Sequence, residues 1–318
     1  MERGIEVLLT VVICTHRRPQ SLSLTLESLA RFSSPADDWE VLVVENDVMP
    51  AAAVRQVVDE YKGRLPLRSC LEKVLNLSSA RNRGSREALG GFLAYVDDDA
   101  EVTAGWLDSL RDACSRIRPD FCGGPSYPLF REKKPLWYKE VYATEYVYGT
   151  APRELKYGEW LGGMNFTVRK DLLLALGGFR EGLGMAGNTL AYGEETNLMM
   201  EAWKMNGNLK VVYLPEVHVL HEVRSEKFRL TWHYRSWWAN GRDSAQMKMV
   251  FQKKATVLRV LTTNVAQLSI KGIIVLLLIA GSIGGSNGSR WRQYVIEHMK
   301  SNVFWISYEL HSLFSWFS

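Results

Sequence analysis

Three consecutive carboxylates, Asp97, Asp98 and Asp99, directly follow a short apolar segment from Phe92 to Val96. Ionised carboxylates are very costly to hold away from water without a counter-charge. A divalent cation supplies that charge, and Mg²⁺ in proteins is typically held by one or two carboxylates together with substrate phosphates. We therefore predict a platform for Mg²⁺ or Mn²⁺ and a diphosphate here. Taken alone, the three acids also fit a solvated acidic turn.

A second acidic pair, Glu194 and Glu195, stands at the start of a helix predicted from Glu195 to Met205. A carboxylate at a helix N-terminus often only stabilises the helix dipole, but one within reach of a substrate hydroxyl can act as a general base. His221 can serve as a metal or phosphate ligand through its neutral imidazole. Arg81 can bind phosphate oxygens bidentately, or lie on a helix surface.

The elements that must position these residues alternate between β-branched runs and amphipathic stretches, which predicts a mostly parallel sheet flanked by helices. Strands are predicted at Val7 to Cys14, Glu40 to Val44, Phe92 to Val96 and Lys210 to Leu214, with helices from Pro19 onward and from Ala51 to Tyr61. Ligands of open α/β sheets bind outside the carboxyl ends of the strands. Thr15, Glu45 to Asp47 and Asp97 to Asp99 follow strands, so we expect them to line one crevice.

Charge divides the 318-residue chain into two unlike segments. With 47% hydrophobic and 23% charged residues, the composition is that of a globular protein and excludes a disordered one. Residues 1–224 hold 27 Lys and Arg against 31 Asp and Glu, whereas residues 225–318 hold 12 against 4 and six of the eleven tryptophans. We predict a catalytic domain over 1–224 and a basic, Trp-rich helical region over 225–318.

The basic C-terminal region fits either an anionic membrane surface or a helical subdomain packed on the catalytic domain. Basic residues attract anionic headgroups, and tryptophan favours the membrane interface. The stretch from Gly272 to Gly285 has fourteen apolar or small residues, fewer than the roughly twenty of a spanning helix. We therefore predict peripheral membrane contact. Because the basic residues stand singly among aromatics, we expect no binding to nucleic acid.

The four cysteines indicate the compartment. They show neither a CxxC pair nor a metal-ligand spacing, which fits buried thiols in a reducing cytosol. We therefore expect a cytoplasmic protein at the cytoplasmic face of the membrane.

A series of motifs runs in order along the first 224 residues: Val11 to Pro19, Glu40 to Asp47, Asn76 to Gly84, Tyr95 to Glu101, Gly162 to Asn165, Gly177 to Phe179, Gly193 to Thr196, and His221. In this order they resemble the inverting, nucleotide-sugar-dependent glycosyltransferases of family 2. The resemblance implies the GT-A fold, a Rossmann-like, mostly parallel sheet flanked by helices. It stops near Arg224, so it leaves the C-terminal helical extension unexplained.

The resemblance also implies roles for individual residues. Asp97, Asp99 and His221 would hold a divalent cation. Glu195 would be the catalytic base, with Glu194 as the alternative. The nucleotide sugar would be bound by Thr15, Arg17, Glu45, Asp47, Arg81, Asp97 and Asp98. The aromatic side chains of Tyr157 and Trp160 would stack on the acceptor sugar, although packing into the core suits them equally.

The implied reaction moves a sugar, with inversion, from a nucleoside-diphosphate sugar, a UDP-sugar first of all, to a saccharide or lipid-linked acceptor in polysaccharide or glycolipid biosynthesis. The sequence departs from the family at Glu195, where Asp is usual, and at Glu45 to Asp47, where Asp-Asp or Asp-Asn is usual. Two rival functions remain. A nucleotidyltransferase would need a Gly-rich phosphate loop, which His16 to Pro19 lacks, and a non-catalytic sugar- or membrane-binding module would release no nucleotide.

Overall fold

The computed structural model describes residues 7–32, 37–187, 189–247, 257–280 and 290–314. Contacts divide the chain into two compact units. The first unit comprises Met1–Leu129, Ala143–Gly187 and Glu194–Glu222, and the second comprises Phe130–Tyr142, Asn188–Gly193 and Val223–Ser318. The first unit therefore ends two residues before the predicted boundary at 224. The division also differs from the prediction in that two inner segments group with the second unit.

The described part of the first unit forms strands and helices that alternate along its first half. The strands are β1 (Leu9–Thr15), β2 (Trp39–Asn46), β3 (Leu67–Glu72), β4 (Phe92–Asp97), β5 (Ala100–Val102), β6 (Phe121–Gly123), β7 (Ser126–Leu129), β8 (Arg153–Glu154), β9 (Asn165–Arg169), β10 (Val211–Tyr213) and β11 (Val219–Glu222). The helices are α1 (Pro19–Phe32), α2 (Ala52–Tyr61), α3 (Leu77–Glu87), α4 (Trp106–Asp112), α5 (Lys170–Ala175) and α6 (Glu194–Met205).

Eight strands form the central sheet in the order β3-β2-β1-β4-β9-β6-β10-β8. The pairs from β3 to β4 and the pair of β6 with β10 are parallel, whereas β9 and β8 run antiparallel to their neighbours. A small second sheet has the order β5-β11-β7. The predicted α/β fold with a mostly parallel sheet and flanking helices is confirmed. The strands β3, β5, β6, β7, β8, β9 and β11 are additions to the four predicted ones.

Alternation along β1 explains why the sheet is buried on both faces. Leu9, Val11 and Ile13 join a core cluster that includes apolar residues of α1, α2 and α4, while Val12 joins a second cluster that includes residues of α3, α5 and α6. Successive side chains of a strand point to opposite faces, so each strand contributes to both cores. This leaves the carboxyl ends of β1, β2 and β4 as the places where polar side chains collect.

The second unit contains three long helices, α7 (Leu230–Gln246), α8 (Val257–Ala280) and α9 (Arg290–Phe314). Helices α7 and α9 approach closely at Gly241, where a Cβ would lie 2.3 Å from the Phe304 carbonyl oxygen. Helix α8 begins well before the apolar stretch that starts at Gly272, and the end of that stretch, residues 281–285, lies outside the described residues. Among the described residues, no helix combines the length and apolarity needed to cross a bilayer.

Candidate active site

Asp97, Asp99 and His221 come together where β4 ends. The strands β5 and β11 pair antiparallel with His221 opposite Ala100, which brings the imidazole beside Asp99, and its Nε2 lies 3.1 Å from Asp99 Oδ1. One ligand atom from each of the three residues lies within 4.8 Å of the others. Ligand atoms on opposite sides of an octahedral Mg²⁺ are about 4.2 Å apart. The three predicted metal ligands therefore lie together in one cluster, and the metal itself stays a prediction.

The middle acid, Asp98, is buried and bound within the protein. Its Oδ2 accepts a hydrogen bond from Thr15 Oγ1 at 2.7 Å, and its Oδ1 accepts one from Arg18 Nη1 at 3.2 Å. Burial, and next the charge of Asp99, raise the pKa of Asp98 to about 6. Thr15 and Asp98 thus fasten the end of β1 to the acidic turn. Their predicted contacts with a nucleotide sugar stay predictions.

The guanidinium of Arg81 connects the acidic turn to the second acidic pair. It donates to Glu194 Oε1 at 2.5 Å, to the Gly163 carbonyl at 3.0 Å and to Asp97 Oδ1 at 3.3 Å. Burial lowers the pKa of Arg81, but the charges of Glu194 and Asp97 outweigh it and hold the pKa above its usual value. Because Arg81 is only 3% exposed, the alternative of a helix-surface arginine is wrong. Its predicted diphosphate contact stays a prediction.

Hydrogen bonds at the start of helix α3 and along its buried side hold the helix, and with it Arg81, in place. Asn76 caps the helix by accepting a hydrogen bond from the Ser79 amide at 3.1 Å. Asn82 donates to the Phe179 carbonyl at 2.8 Å and accepts from the Phe179 amide at 2.7 Å. Gly178 has φ +85, and a Cβ there would lie 2.5 Å from Asn82 Oδ1. The Gly177 to Phe179 motif therefore forms a turn that clamps α3.

Glu194 and Glu195 are the first two residues of α6, one residue earlier than the predicted start, and both are buried. Glu194 is paired with Arg81, as described above. Burial, and next the charge of Glu194, hold the pKa of Glu195 well above its usual value. A carboxylate with a raised pKa is a stronger proton acceptor, as a general base must be. The ion pair with Arg81 distinguishes Glu194 from Glu195, and which of the two is the base stays a prediction.

Arg17 and Asp47 form a bidentate ion pair between the ends of β1 and β2. Arg17 Nε lies 2.6 Å from Asp47 Oδ2, and Nη2 lies 3.0 Å from Oδ1. The hydrogen bond from Arg17 is the main cause that lowers the pKa of Asp47 to about 2. Arg17 has φ 53, a left-handed conformation that is uncommon outside glycine.

Glu45, at the end of β2, accepts a hydrogen bond from the Ala51 amide at 2.6 Å. Nucleotide binding by these predicted residues is untested.

The aromatic pair Tyr157 and Trp160 lies together, with ring centroids 5.5 Å apart in an edge-to-face arrangement. Tyr157 is 60% exposed and also faces Trp203 of α6, with ring centroids 6.4 Å apart. Trp160 is partly buried and packs against the second core cluster. Core packing therefore describes Trp160, while Tyr157 presents its ring to solvent. Their role in acceptor binding stays a prediction.

Two residues of the site, Arg18 and Tyr146, were missed by the sequence reasoning. Arg18 Nη1 lies 3.8 Å from Asp99 Oδ2 in addition to its bond with Asp98. Tyr146 has φ 57, which is a genuine outlier for a bulky residue. Burial, and next the charge of Glu195, hold the pKa of its hydroxyl well above the usual value. The Gly162 to Asn165 motif could have indicated a close neighbour, because a Cβ at Gly162 would lie 2.2 Å from the Tyr146 ring.

Comparison with protein families gives one matching description, "Glycosyl transferase family 2", over residues 10–171. This match covers just over half of the chain and includes β1, β2, α3 and the acidic turn. Helix α6, β11 and the second unit's segments Asn188–Gly193 and Val223–Ser318 lie beyond it.

Two curated relatives extend the similarity further. The chain is 29% identical over 246 residues to the succinoglycan biosynthesis protein ExoM of Rhizobium meliloti, covering 74% of each chain. It is 26% identical over 243 residues to the glucosyl-dolichyl phosphate glucuronosyltransferase of Haloferax volcanii, covering 72% of this chain and 74% of the relative.

Solved structures share the fold at low sequence identity. The mannosyltransferase PcManGT of Pyrobaculum calidifontis, in complex with GDP-Man and Mn²⁺, superposes with a TM-score of 0.59 at 15% identity, over 99% of this chain and 91% of that one. S. aureus TarS in complex with UDP-GlcNAc superposes with a TM-score of 0.56 at 13% identity, over 96% and 91%. At such identities the likeness concerns the fold alone.

Proposed function

The chain belongs to glycosyl transferase family 2, and on that premise we propose that it transfers a sugar, with inversion, from a UDP-sugar to an acceptor hydroxyl. The acceptor we propose is a saccharide or lipid-linked saccharide in polysaccharide or glycolipid biosynthesis. The names of the two curated relatives, which refer to succinoglycan biosynthesis and to a dolichyl phosphate, support this class of acceptor. Family membership favours this reaction over nucleotidyl transfer and over non-catalytic binding.

The observation that carries the proposal is the position of the Arg81 guanidinium. It binds Asp97 of the acidic cluster and also Glu194, which precedes Glu195. Arg81 therefore connects two parts of the site. The acidic cluster could hold a cation that neutralises the leaving diphosphate, and Glu195 could activate the acceptor hydroxyl. A displacement at the anomeric carbon requires both functions at one site.

The acidic cluster fits a divalent cation by its donor atoms. Asp97, Asp99 and His221 would hold Mg²⁺ or Mn²⁺, since carboxylates suit both ions and imidazole is a common transition-metal ligand. When bound, the cation supplies neutralisation of the negative charge that develops on the departing diphosphate. Arg18 stands beside Asp99 with its side chain 41% exposed, so we assign it a direct contact with the diphosphate oxygens. Arg81, already bound by three protein groups, would position Asp97 and Glu194.

Glu195 is the proposed base. Glu194 is held as a carboxylate by its ion pair with Arg81, whereas the main influences on Glu195, burial and the adjacent carboxylate, favour uptake of a proton. Glu195 would remove the proton of the acceptor hydroxyl as the oxygen attacks the anomeric carbon from the face opposite the diphosphate. Attack from that face inverts the configuration.

We place this reaction at the cytoplasmic face of a membrane. The support comes from the C-terminal region, where residues 225–318 hold an excess of eight positive charges and six tryptophans. Positive charge attracts anionic headgroups, and tryptophan rings favour the interface between headgroups and acyl chains. A lipid-linked acceptor would be presented at that surface.

The test is turnover by the purified chain with a panel of UDP- and GDP-sugars, with and without Mn²⁺, measured as release of nucleoside diphosphate. We expect metal-dependent release with a UDP-sugar, and a loss of about 10³-fold in Asp99→Ala and in Glu195→Gln. The matched controls are Asp59→Ala and Glu201→Gln, which remove carboxylates that pair with lysines at the surface. Full activity in both site variants would contradict the proposal.

A further inference from the structure

Three polar side chains of helix α8 in the second unit, Asn264, Gln267 and Lys271, contact α9. Lys271 Nζ donates to the His298 carbonyl and to Asn302 Oδ1, each at 2.5 Å. Asn302 Nδ2 donates in turn to Asn264 Oδ1 at 2.9 Å and to Gln267 Oε1 at 2.8 Å. Asn302 itself is 1% exposed. Three polar residues of α8 are thus used in packing against its neighbour.

The opposite side of α8 is open and largely apolar, with Thr262 and Ser269 as small exposed polar residues among the large apolar ones. Residues spaced by three, four or seven positions share one face of a helix, which places Asn264, Gln267 and Lys271 together. Within the described side chains, the large apolar residues that fall on the other face are 52% to 67% exposed: Val265, Ile270, Ile273, Leu276 and Leu277. By helical geometry these five cover an arc of about 140°. Lys271 is the one charged residue between 262 and 277, and it belongs to the polar side.

This polarity is the reverse of that of a surface helix in a water-soluble protein, which buries its apolar stripe and exposes its polar one. Directing Asn264 and Lys271 toward a neighbouring helix, where both are half-buried, while leaving five large apolar side chains exposed has no advantage if water is the surrounding medium. A contiguous exposed apolar surface marks contact with another protein or with a membrane. The outer face of α8, defined as Val265, Ile270, Ile273, Leu276 and Leu277, therefore requires an apolar environment.

Charge and composition select a lipid bilayer as that environment. The region 225–318 carries twelve basic residues against four acidic ones, and α9 begins with Arg290, Trp291 and Arg292. Basic residues and tryptophans flanking an apolar helix face are typical of segments that lie at the surface of anionic membranes. We propose that the outer face of α8 is the surface by which this enzyme docks on an anionic bilayer. This inference rests on the membrane location proposed above and names the residues that achieve it.

The experiment is flotation of the purified 318-residue chain with phosphatidylcholine vesicles that contain or lack phosphatidylglycerol. We expect the wild-type chain to float with the anionic vesicles and to be released by salt only in part, since the apolar contact does not depend on charge. The double variant Ile273→Glu/Leu277→Glu should lose at least tenfold in vesicle affinity. The control Leu89→Glu/Leu174→Glu adds the same charges at exposed leucines of the first unit and should float as the wild type does.

A neutral variant, Ile273→Ser/Leu277→Ser, repeats the test without added charge, and circular dichroism with nucleotide-sugar turnover confirms that each variant is folded. Equal flotation of wild type and both α8 variants would overturn the inference while leaving the membrane location intact. Failure of the wild type to float would overturn the location as well, and turnover, measured separately, tests the reaction. A stable dimer that the α8 variants convert to monomers, without vesicle binding, would assign the face to a second copy of the chain and overturn the proposal.

Discussion

Arg81 and Glu194 form a buried ion pair between α3 and α6, across 113 positions of the chain. The guanidinium is 3% exposed and the carboxylate side chain 7%. The same guanidinium reaches Asp97 at 3.3 Å, so a single buried cation orders an acid from each of the two acidic motifs. Stability and catalysis should therefore both depend on Arg81, and the two effects can be separated.

Replacing Arg81 by Met should lower the free energy of unfolding by about 3–5 kcal/mol, because it leaves the Glu194 charge buried without a partner. The double variant Arg81→Met/Glu194→Met should recover a large part of that loss, since it removes both charges. Urea unfolding measures both. The control is Arg83→Met, which breaks an exposed pair with Glu87 on the same helix and should cost less than about 1 kcal/mol. Equal losses of unfolding free energy in the Arg81 and Arg83 variants would show that the buried ion pair stabilises the fold no more than the exposed one.

Replacing Gly163 by Ala should lower turnover more than stability. A Cβ at this position would lie 2.8 Å from Arg81 Nη2, so the guanidinium must shift while its charge stays in place. A displacement of about 1 Å in positioned groups can cost about 10²-fold in rate, and we expect a loss of 10- to 100-fold in kcat. Gly207→Ala is the control, because a Cβ there meets nothing within 4 Å. Unchanged kcat in Gly163→Ala would contradict the positioning role of Arg81.

Local sequence patterns were sufficient to predict the frame of the fold. The β-branched runs predicted β1, β2 and β4, because such residues pack well in buried strands, and Pro19 predicted the start of α1. Polar residues after each strand followed from the same reasoning, because the carboxyl ends of parallel strands meet at one edge. The acidic turn was therefore placed correctly at the end of β4.

Contacts between distant segments could not be predicted in the same way. The neighbourhood of Asp99 and His221 depends on β5, a strand of only three residues without a pattern of its own. The inward direction of Asp98 depends on Thr15 and Arg18, and the burial of Arg81 depends on α6. Each of these three contacts joins residues of different elements. Periodicity and composition describe one segment at a time, so they do not predict which distant segments meet.

The activity should rise with pH through the pKa of Glu195. A base acts only when it is deprotonated, and burial and the charge of Glu194 hold the pKa of Glu195 well above 4.5. The acidic limb of kcat/KM against pH should therefore lie well above pH 4.5. In Glu194→Gln the neighbouring negative charge is gone and the positive charge of Arg81 remains, and both changes lower the pKa of Glu195. The limb should then move to lower pH.

The control for this pH profile is Glu201→Gln, an exposed position on the same helix, which should leave the limb where it is in the wild type. Because the readout is the position of the limb rather than its height, a partial loss of folded enzyme does not obscure it. A limb that stays in place in Glu194→Gln would mean that the titrating group is not Glu195.

His233 should make the second unit less stable in acid. It is buried against the rings of Trp232, Trp237 and Tyr138, and burial lowers its pKa to about 4. An unfolded histidine has a pKa of about 6.5. Below that pH the unfolded chain binds a proton at His233, whereas the folded chain does not bind it until about pH 4. The free energy of unfolding therefore falls as the pH drops from about 6.5 to 4.

The substitution His233→Phe keeps an aromatic ring and removes the titrating group. Between pH 7 and pH 5 the free energy of unfolding should fall by about 2 kcal/mol less in this variant than in the wild type, as 1.5 pH units correspond to about 2 kcal/mol. Urea unfolding followed by tryptophan fluorescence measures the difference, because Trp232 and Trp237 lie against the replaced ring. Between pH 7 and pH 8 the two proteins should change alike, and equal losses down to pH 5 would refute the assignment.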